Sequence, residues 1–164
     1  MKNLCLNLAL FCLTVILTAC ATTPKFDVNG VEIDITPQRA VAEAGNLQGI
    51  EVLWGGIIIA STNLAEATQF EILAYPLASD QMPDTGEAPL GRFLALQEGY
   101  LETSDYAQGR LITVRGMLDG THSGRIGESD YVYPVLRMHQ HELWKTERDS
   151  DTQFHIGIGV MFHN

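Results

Sequence analysis

Two histidines come nearest to a chemical pattern in this 164-residue chain: His139 and His141, two positions apart. On a strand that spacing puts both on one face. With a third ligand from His122 or His155 they could hold zinc or copper. No acidic or cysteine ligand is fixed near them by spacing, so the expectation is a sheet face carrying two imidazoles and no metal. Glu128 and Asp130 are also two apart, and a carboxylate pair can do acid–base work. They lie among small and polar residues, and the pair reads as part of a turn. No Gly-x-Ser-x-Gly elbow presents a nucleophile. The stretch Gly120 to Gly127 lacks the Lys-Ser/Thr ending of a phosphate loop. No catalytic residue is therefore assigned. The remaining pattern is aromatic: Trp54, Tyr75, Tyr131, Tyr133 and Trp144 could line a groove and stack on sugar rings or peptides, with core packing the competing reading for most of them.

A different chemistry is written at Leu17-Thr18-Ala19-Cys20. An apolar run from Leu4 to Leu17 follows the single cation Lys2. It is too short to span a bilayer, which takes ~20 apolar residues, and it fits a leader core of roughly 7–15 residues. A small residue before one cysteine at the end of such a run resembles the lipobox of bacterial lipoproteins. The reading is cleavage between Ala19 and Cys20, with lipid attached to Cys20. Residues Ala21 to Lys25 offer no helix continuation, which argues against a buried core helix. Cys5 and Cys12 would leave with the leader, so the mature chain would carry no free thiol and no disulfide. One acyl chain binds membranes marginally and two or more bind stably. The three chains common to lipoprotein cysteines imply a permanent anchor, and Ala21 in place of Asp implies the outer membrane by the sorting pattern of such proteins.

Composition narrows the partners. The net charge is −10 and the charges are scattered rather than in runs. An acidic surface repels phosphate backbones, which excludes nucleic acid as an expected partner. It also gives no polybasic help with anionic headgroups. Hydrophobic residues make up 46% of the chain, enough for a true core. Removing residues 1–19 leaves a length that suits one domain. The expected organisation is a leader at 1–19, a lipid-anchored tether and N-terminal extension at 20–35, and a single domain at 36–164.

The elements that would position these residues are mostly strands. Asn29-Gly30, with apolar flanks, signals a small hairpin or an extended stretch between Phe26 and Ile35. Thr36-Pro37 opens a short helix expected to end at Ala44, with Gly45 as its cap. Glu51 to Ser61 is a strand interrupted by Gly55-Gly56, the mark of a bulge or bend. Gln69 to Tyr75 alternates, with Phe70, Ile72 and Ala74 inward. Residues 79–89 form a loop, and Gly91 to Gln97 a third strand. Thr103-Ser104-Asp105 could cap one helical turn. Arg110 to Leu118 is a fourth strand, with Thr113 and Arg115 facing opposite to Ile112, Val114 and Gly116. Gly120 to Asp130 reads as a glycine-rich loop, and Tyr131 to Trp144 as a fifth strand with a bulge or edge at Pro134. Phe154 to Phe162 alternates again and could add a C-terminal strand. The fold class is all-β: an OB-like five-stranded barrel with one or two short helices, a sandwich being second.

The middle of the chain resembles the Slp family of Gram-negative outer-membrane lipoproteins. The matching residues include Trp54-Gly55-Gly56-Ile57-Ile58, Tyr75-Pro76-Leu77, Gly91-Arg92-Phe93, Val114-Arg115-Gly116, Tyr131-Val132-Tyr133-Pro134-Val135 and Leu143-Trp144. They run from about Gly49 to Trp144. Where family members often read Leu-Asp-Pro, this chain has Leu101-Glu102-Thr103. The resemblance implies a starvation- or stress-linked lipoprotein of the outer membrane and carries no catalytic residues. The expected function is a non-enzymatic β-domain facing the periplasm, with a structural or interaction role. Its membrane contact is through the lipid on Cys20, other envelope proteins are its expected partners, and no cofactor is expected beyond that lipid. The alternative is a binding module for an oligosaccharide, peptide or small envelope metabolite. A metal-dependent enzyme, which would need His139 and His141 to converge with a third ligand, is the remaining class.

Overall fold

Alternation is clearest in the strand Ala67–Tyr75, and there it builds the core. Thr68, Phe70, Ile72 and Ala74 are buried while their neighbours are half-exposed. The computed structural model describes residues 25–145. It contains β1 (Glu51–Asn63), β2 (Ala67–Tyr75), β3 (Gly91–Glu98), β4 (Leu111–Ile126) and β5 (Ser129–Leu143). They close in the order β1-β2-β3-β5-β4, with β4 pairing back onto β1. Every pairing is antiparallel except β3 with β5. This is the five-stranded Greek-key ring expected of an OB-like fold. Inside it Val52, Trp54, Ile58, Phe70, Ile72, Phe93, Ala95, Ile112, Val114, Leu136 and Met138 form one apolar cluster.

The ring closes because β1 belongs to both sides of it. At Gly55 and Gly56 the strand pairs with β2 and β4 at once. A methyl group on Gly56 would overlap the carbonyl of Leu73, so only glycine allows the two backbones to come this close. The bulge expected at the glycine pair lies a little further on, between Ile58 and Ala60.

Two short helices precede the ring. Helix α1 (Pro37–Ala42) is capped by Thr36, whose Oγ1 accepts from the Arg39 amide. It is shorter than expected. The Glu43 carbonyl restarts the chain by accepting from the amides of Asn46 and Leu47. Gly45 therefore lies inside α2 (Ala44–Leu47) rather than capping α1. Gly49, at φ +79°, makes the actual turn into β1, its amide donating to the Leu118 carbonyl. Ile35 and Ala40 join the core at the end of the ring where β1 begins. At the other end, Ser61 donates to the Tyr106 carbonyl and Leu101 packs inward. The 99–110 connection has turns here and no helix, with the Asp105 amide donating to the Glu102 carbonyl.

One further expectation is corrected, and two stretches are placed. Gly120 to Asp130 is no loop: β4 continues to Ile126, turns at Gly127 and returns as β5. The glycines fit the ladder, since Gly124 leaves room for the Tyr133 ring and Gly120, at φ +78°, serves a register shift opposite Pro134. Asn29-Gly30 makes a turn, with the Val31 amide donating to Val28, but no hairpin follows; Glu32 instead pairs with Val52. The stretch expected as tether and N-terminal extension lies on the ring from Phe26 onward, with Phe26 and Ile35 buried. Ala19, Cys20, His155 and the Phe154 to Phe162 stretch lie outside the described residues.

Candidate functional site

An apolar cavity lies beside this N-terminal stretch, which acts as a strap over the flank of the ring. Phe26 pins one end of the strap. Its amide donates to Gln81 Oε1 at 2.7 Å, and Gln81 Nε2 donates to the Phe26 carbonyl at 2.9 Å. Gln81 itself stands at φ +69°, a left-handed backbone that a non-glycine residue adopts at some cost. The surrounding bonds hold it there. The Gln81 carbonyl accepts from Thr113 Oγ1 at 2.7 Å, and Trp144 Nε1 donates to that same hydroxyl at 3.0 Å. The strap's other end is pinned by Trp54, whose Nε1 donates to the Ile35 carbonyl at 2.6 Å.

Between the two pins the strap bows over a cavity of about 470 Å³. Its walls are Leu53 and Trp54 from β1, Ala74 and Tyr75 from β2, and Leu77, Ala78 and Leu90 from the loop that follows. Val28 and Ile33 roof it and remain 44% and 64% exposed. Asp34 is the one carboxylate in the lining. The size falls within the range of small-molecule sites, and so does an apolar lining with few polar groups.

The five aromatics singled out from the sequence occupy three places. Trp54 and Tyr75 line the cavity. The Trp54 ring also packs edge-on against Phe93 at 5.0 Å. Tyr131 and Tyr133 stack edge-to-face on β5 at 4.7 Å. The Tyr131 hydroxyl accepts from the Arg92 amide, and the Tyr133 hydroxyl donates to Glu71, which also binds Arg92 at 2.6 Å. Burial, and then the charge of Glu71, pushes the Tyr133 hydroxyl above its ordinary pKa. Trp144 belongs to the Thr113–Gln81 chain. No single aromatic groove joins these three places.

The histidine pair does not converge. A register shift beside Arg115 and Gly116 inserts an extra residue in β5 at His139, so a spacing of two no longer means one face. His139 Nε2 meets Glu51 at 3.0 Å, and Glu51 is also held by both ends of the Arg115 guanidinium. The Arg115 hydrogen bond is the main cause of a Glu51 pKa below the usual carboxylate range. His141 turns to Tyr106 instead, with Nε2 2.7 Å from the hydroxyl. Burial pulls the His141 pKa down and pushes the Tyr106 pKa up. His122 faces Tyr133 across the β4–β5 hairpin. Among the described residues, no group of three or more His, Cys, Asp or Glu is placed to hold a metal. Glu128 and Asp130 are exposed at the hairpin tip, where Arg125 donates to the Glu128 carbonyl.

Sequence reasoning missed Gln81 and with it the strap. Its partners Phe26 and Thr113 are 55 and 32 positions away, so nothing in the local pattern marks it. Among the described residues no helix is long and apolar enough to cross a membrane.

Comparison with known proteins adds kinship to this geometry. The family model for the outer membrane lipoprotein Slp family matches residues 17–162. An uncharacterized protein of Haemophilus influenzae is 32% identical over 135 residues, covering 78% of this chain and 70% of that one. The uncharacterized lipoprotein YeaY of Escherichia coli K12 is 33% identical over 122 residues, covering 74% of this chain and 58% of that one, so this chain spans less than two thirds of that relative. The outer membrane protein Slp of Escherichia coli K12 is 27% identical over 148 residues, covering 88% of this chain and 77% of that one.

Proposed function

Because the chain belongs to the outer membrane lipoprotein Slp family, we propose that it is a non-enzymatic envelope protein whose lipid sits on Cys20 and whose β-domain faces the periplasm, held close to the membrane. The protein is lipid-anchored at the outer membrane, as its family is. The strap supports the rest of the reading. Phe26 is fixed to Gln81 only six residues after Cys20. A fully extended chain spans about 3.3–3.6 Å per residue, so the ring hangs within roughly 20 Å of the lipidated residue. A free tether would let the domain roam; a docked strap gives it one flank toward the bilayer. That placement suits a structural or interaction role, and we assign it to the starvation and stress responses of the envelope. Other envelope proteins are its partners in this reading.

Catalysis has little support in the side-chain chemistry. Among the described residues, His141 is spent on Tyr106 and His139 on Glu51, while Glu128 and Asp130 lie open to solvent. Cys20→Ser tests the anchor: the protein should leave the membrane fraction and appear in the soluble periplasm. Continued tight association of that variant with membranes would contradict it.

A further inference from the structure

We propose that the cavity under the strap binds a single uncharged fatty-acyl chain. The inference deepens the anchoring proposed above and rests on it for the nearness of lipid. Three observations carry it. The walls offer Leu53, Trp54, Tyr75, Leu77 and Leu90, while the amide of Gln81 is already occupied by Phe26. A sugar or a polar peptide would find few free hydrogen-bonding groups there, and its own polar groups would lose water without compensation. An acyl chain loses nothing by exchanging one apolar surrounding for another. The second observation is the roof. Val28 and Ile33 are left exposed on a strap pinned at both ends, so apolar surface continues from the cavity to the outside at its mouth. The third is charge: Asp34 in the lining, on a chain of net charge −10, opposes a phosphate or carboxylate group entering with the chain.

The chain has two available sources, a bilayer phospholipid or an acyl group on Cys20 itself, and one probe separates them. The protein has two tryptophans. Trp144→Phe gives up the indole bond to Thr113, keeps the Thr113–Gln81 and Gln81–Phe26 bonds, and leaves Trp54, in the cavity wall, as the only tryptophan. Purified full-length lipoprotein carrying this substitution, in unbrominated detergent, is titrated with phosphatidylcholine brominated on its acyl chains. Bromine quenches indole only at short range. A saturable loss of at least half the fluorescence is expected, absent with unbrominated phosphatidylcholine. Ile33→Asp, at an exposed position, and Ala78→Phe, which fills the cavity from the loop, should each abolish the loss while leaving the circular dichroism spectrum and melting temperature near those of the parent.

If the bound chain is the protein's own, added lipid will not quench. Protein from cells grown on brominated fatty acid will then be quenched before any addition, and Ile33→Asp will relieve it. Absence of quenching from both sources, or quenching that both variants leave intact, overturns the proposal. Vesicle flotation of the same protein reads the anchor separately, so a failed anchor and a failed cavity give different results.

Discussion

Inside the ring, Phe70, Phe93, Ile72 and Ile112 are wholly buried, and the one wholly buried polar residue contributed by β2, Thr68, is satisfied by Asn63 and Leu101. On the strapped flank the order reverses. A chain of polar contacts runs Phe26–Gln81–Thr113–Trp144, and its Gln81 borders a space that side chains do not fill. The first region is held by close packing, which tolerates neither voids nor added atoms. The second is held by a few directional bonds, centred on one strained residue and completed by the Trp54 bond to Ile35. The contrast separates stability from placement: the ring keeps the domain folded, and the flank fixes where the chain leaves it and what it can hold there.

Adding a single methyl group to the ring should have the largest effect. Gly56→Ala drives a methyl into the Leu73 carbonyl, and such overpacking should cost about 3 kcal/mol or more, read as a lower urea midpoint. If that variant melts like the parent, β1 does not bind both neighbours as described. On the flank, Gln81→Ala removes both bonds to Phe26 and should cost roughly 1–3 kcal/mol. The sharper reading is local. Hydrogen exchange should accelerate in residues 25–35 far more than in β2, because the strap can open while the ring stays closed. Equal acceleration in both would merge the two regions into one cooperative unit.

Acid should act on the ring through two different groups. Burial lowers the pKa of His141, so the unfolded chain binds its proton first as pH falls below about 6.5. Stability present above that value should decline until the folded His141 also titrates. Glu51 is lowered by its Arg115 hydrogen bond, so its contribution is lost only at lower pH, as the folded carboxylate takes a proton. His141→Gln should therefore flatten the melting temperature between about pH 7 and about pH 5 while leaving the steeper loss in stronger acid. An unchanged slope in the upper range would assign it to another group. The smallest effect is expected at Arg137, whose pair with Asp119 is largely exposed. Arg137→Ala should shift stability by no more than about 0.5 kcal/mol, and a larger loss would show that the ring depends on surface charge.

Where period-two patterning was strong, the strands were legible to within two residues. Phe70, Ile72 and Ala74 alternate cleanly because one face of β2 is core and the other is not. The failures have identifiable physical causes. Glycine-rich sequence between Gly120 and Asp130 suggested a loop, yet Gly124 makes space for a cross-strand tyrosine in a continuous ladder. The histidine pair was misread because one inserted residue reverses the facing of everything beyond it. The flank was hidden more deeply. Gln81 looks like any polar loop residue until Phe26 and Thr113 are brought to it by the fold.

The account turns on how the chain meets the membrane, and mass spectrometry of the N-terminal peptide from the mature protein addresses that directly. A peptide beginning at Cys20 with acyl chains on it is the predicted result. An unmodified Cys20, or a peptide still carrying residues 1–19, would contradict it.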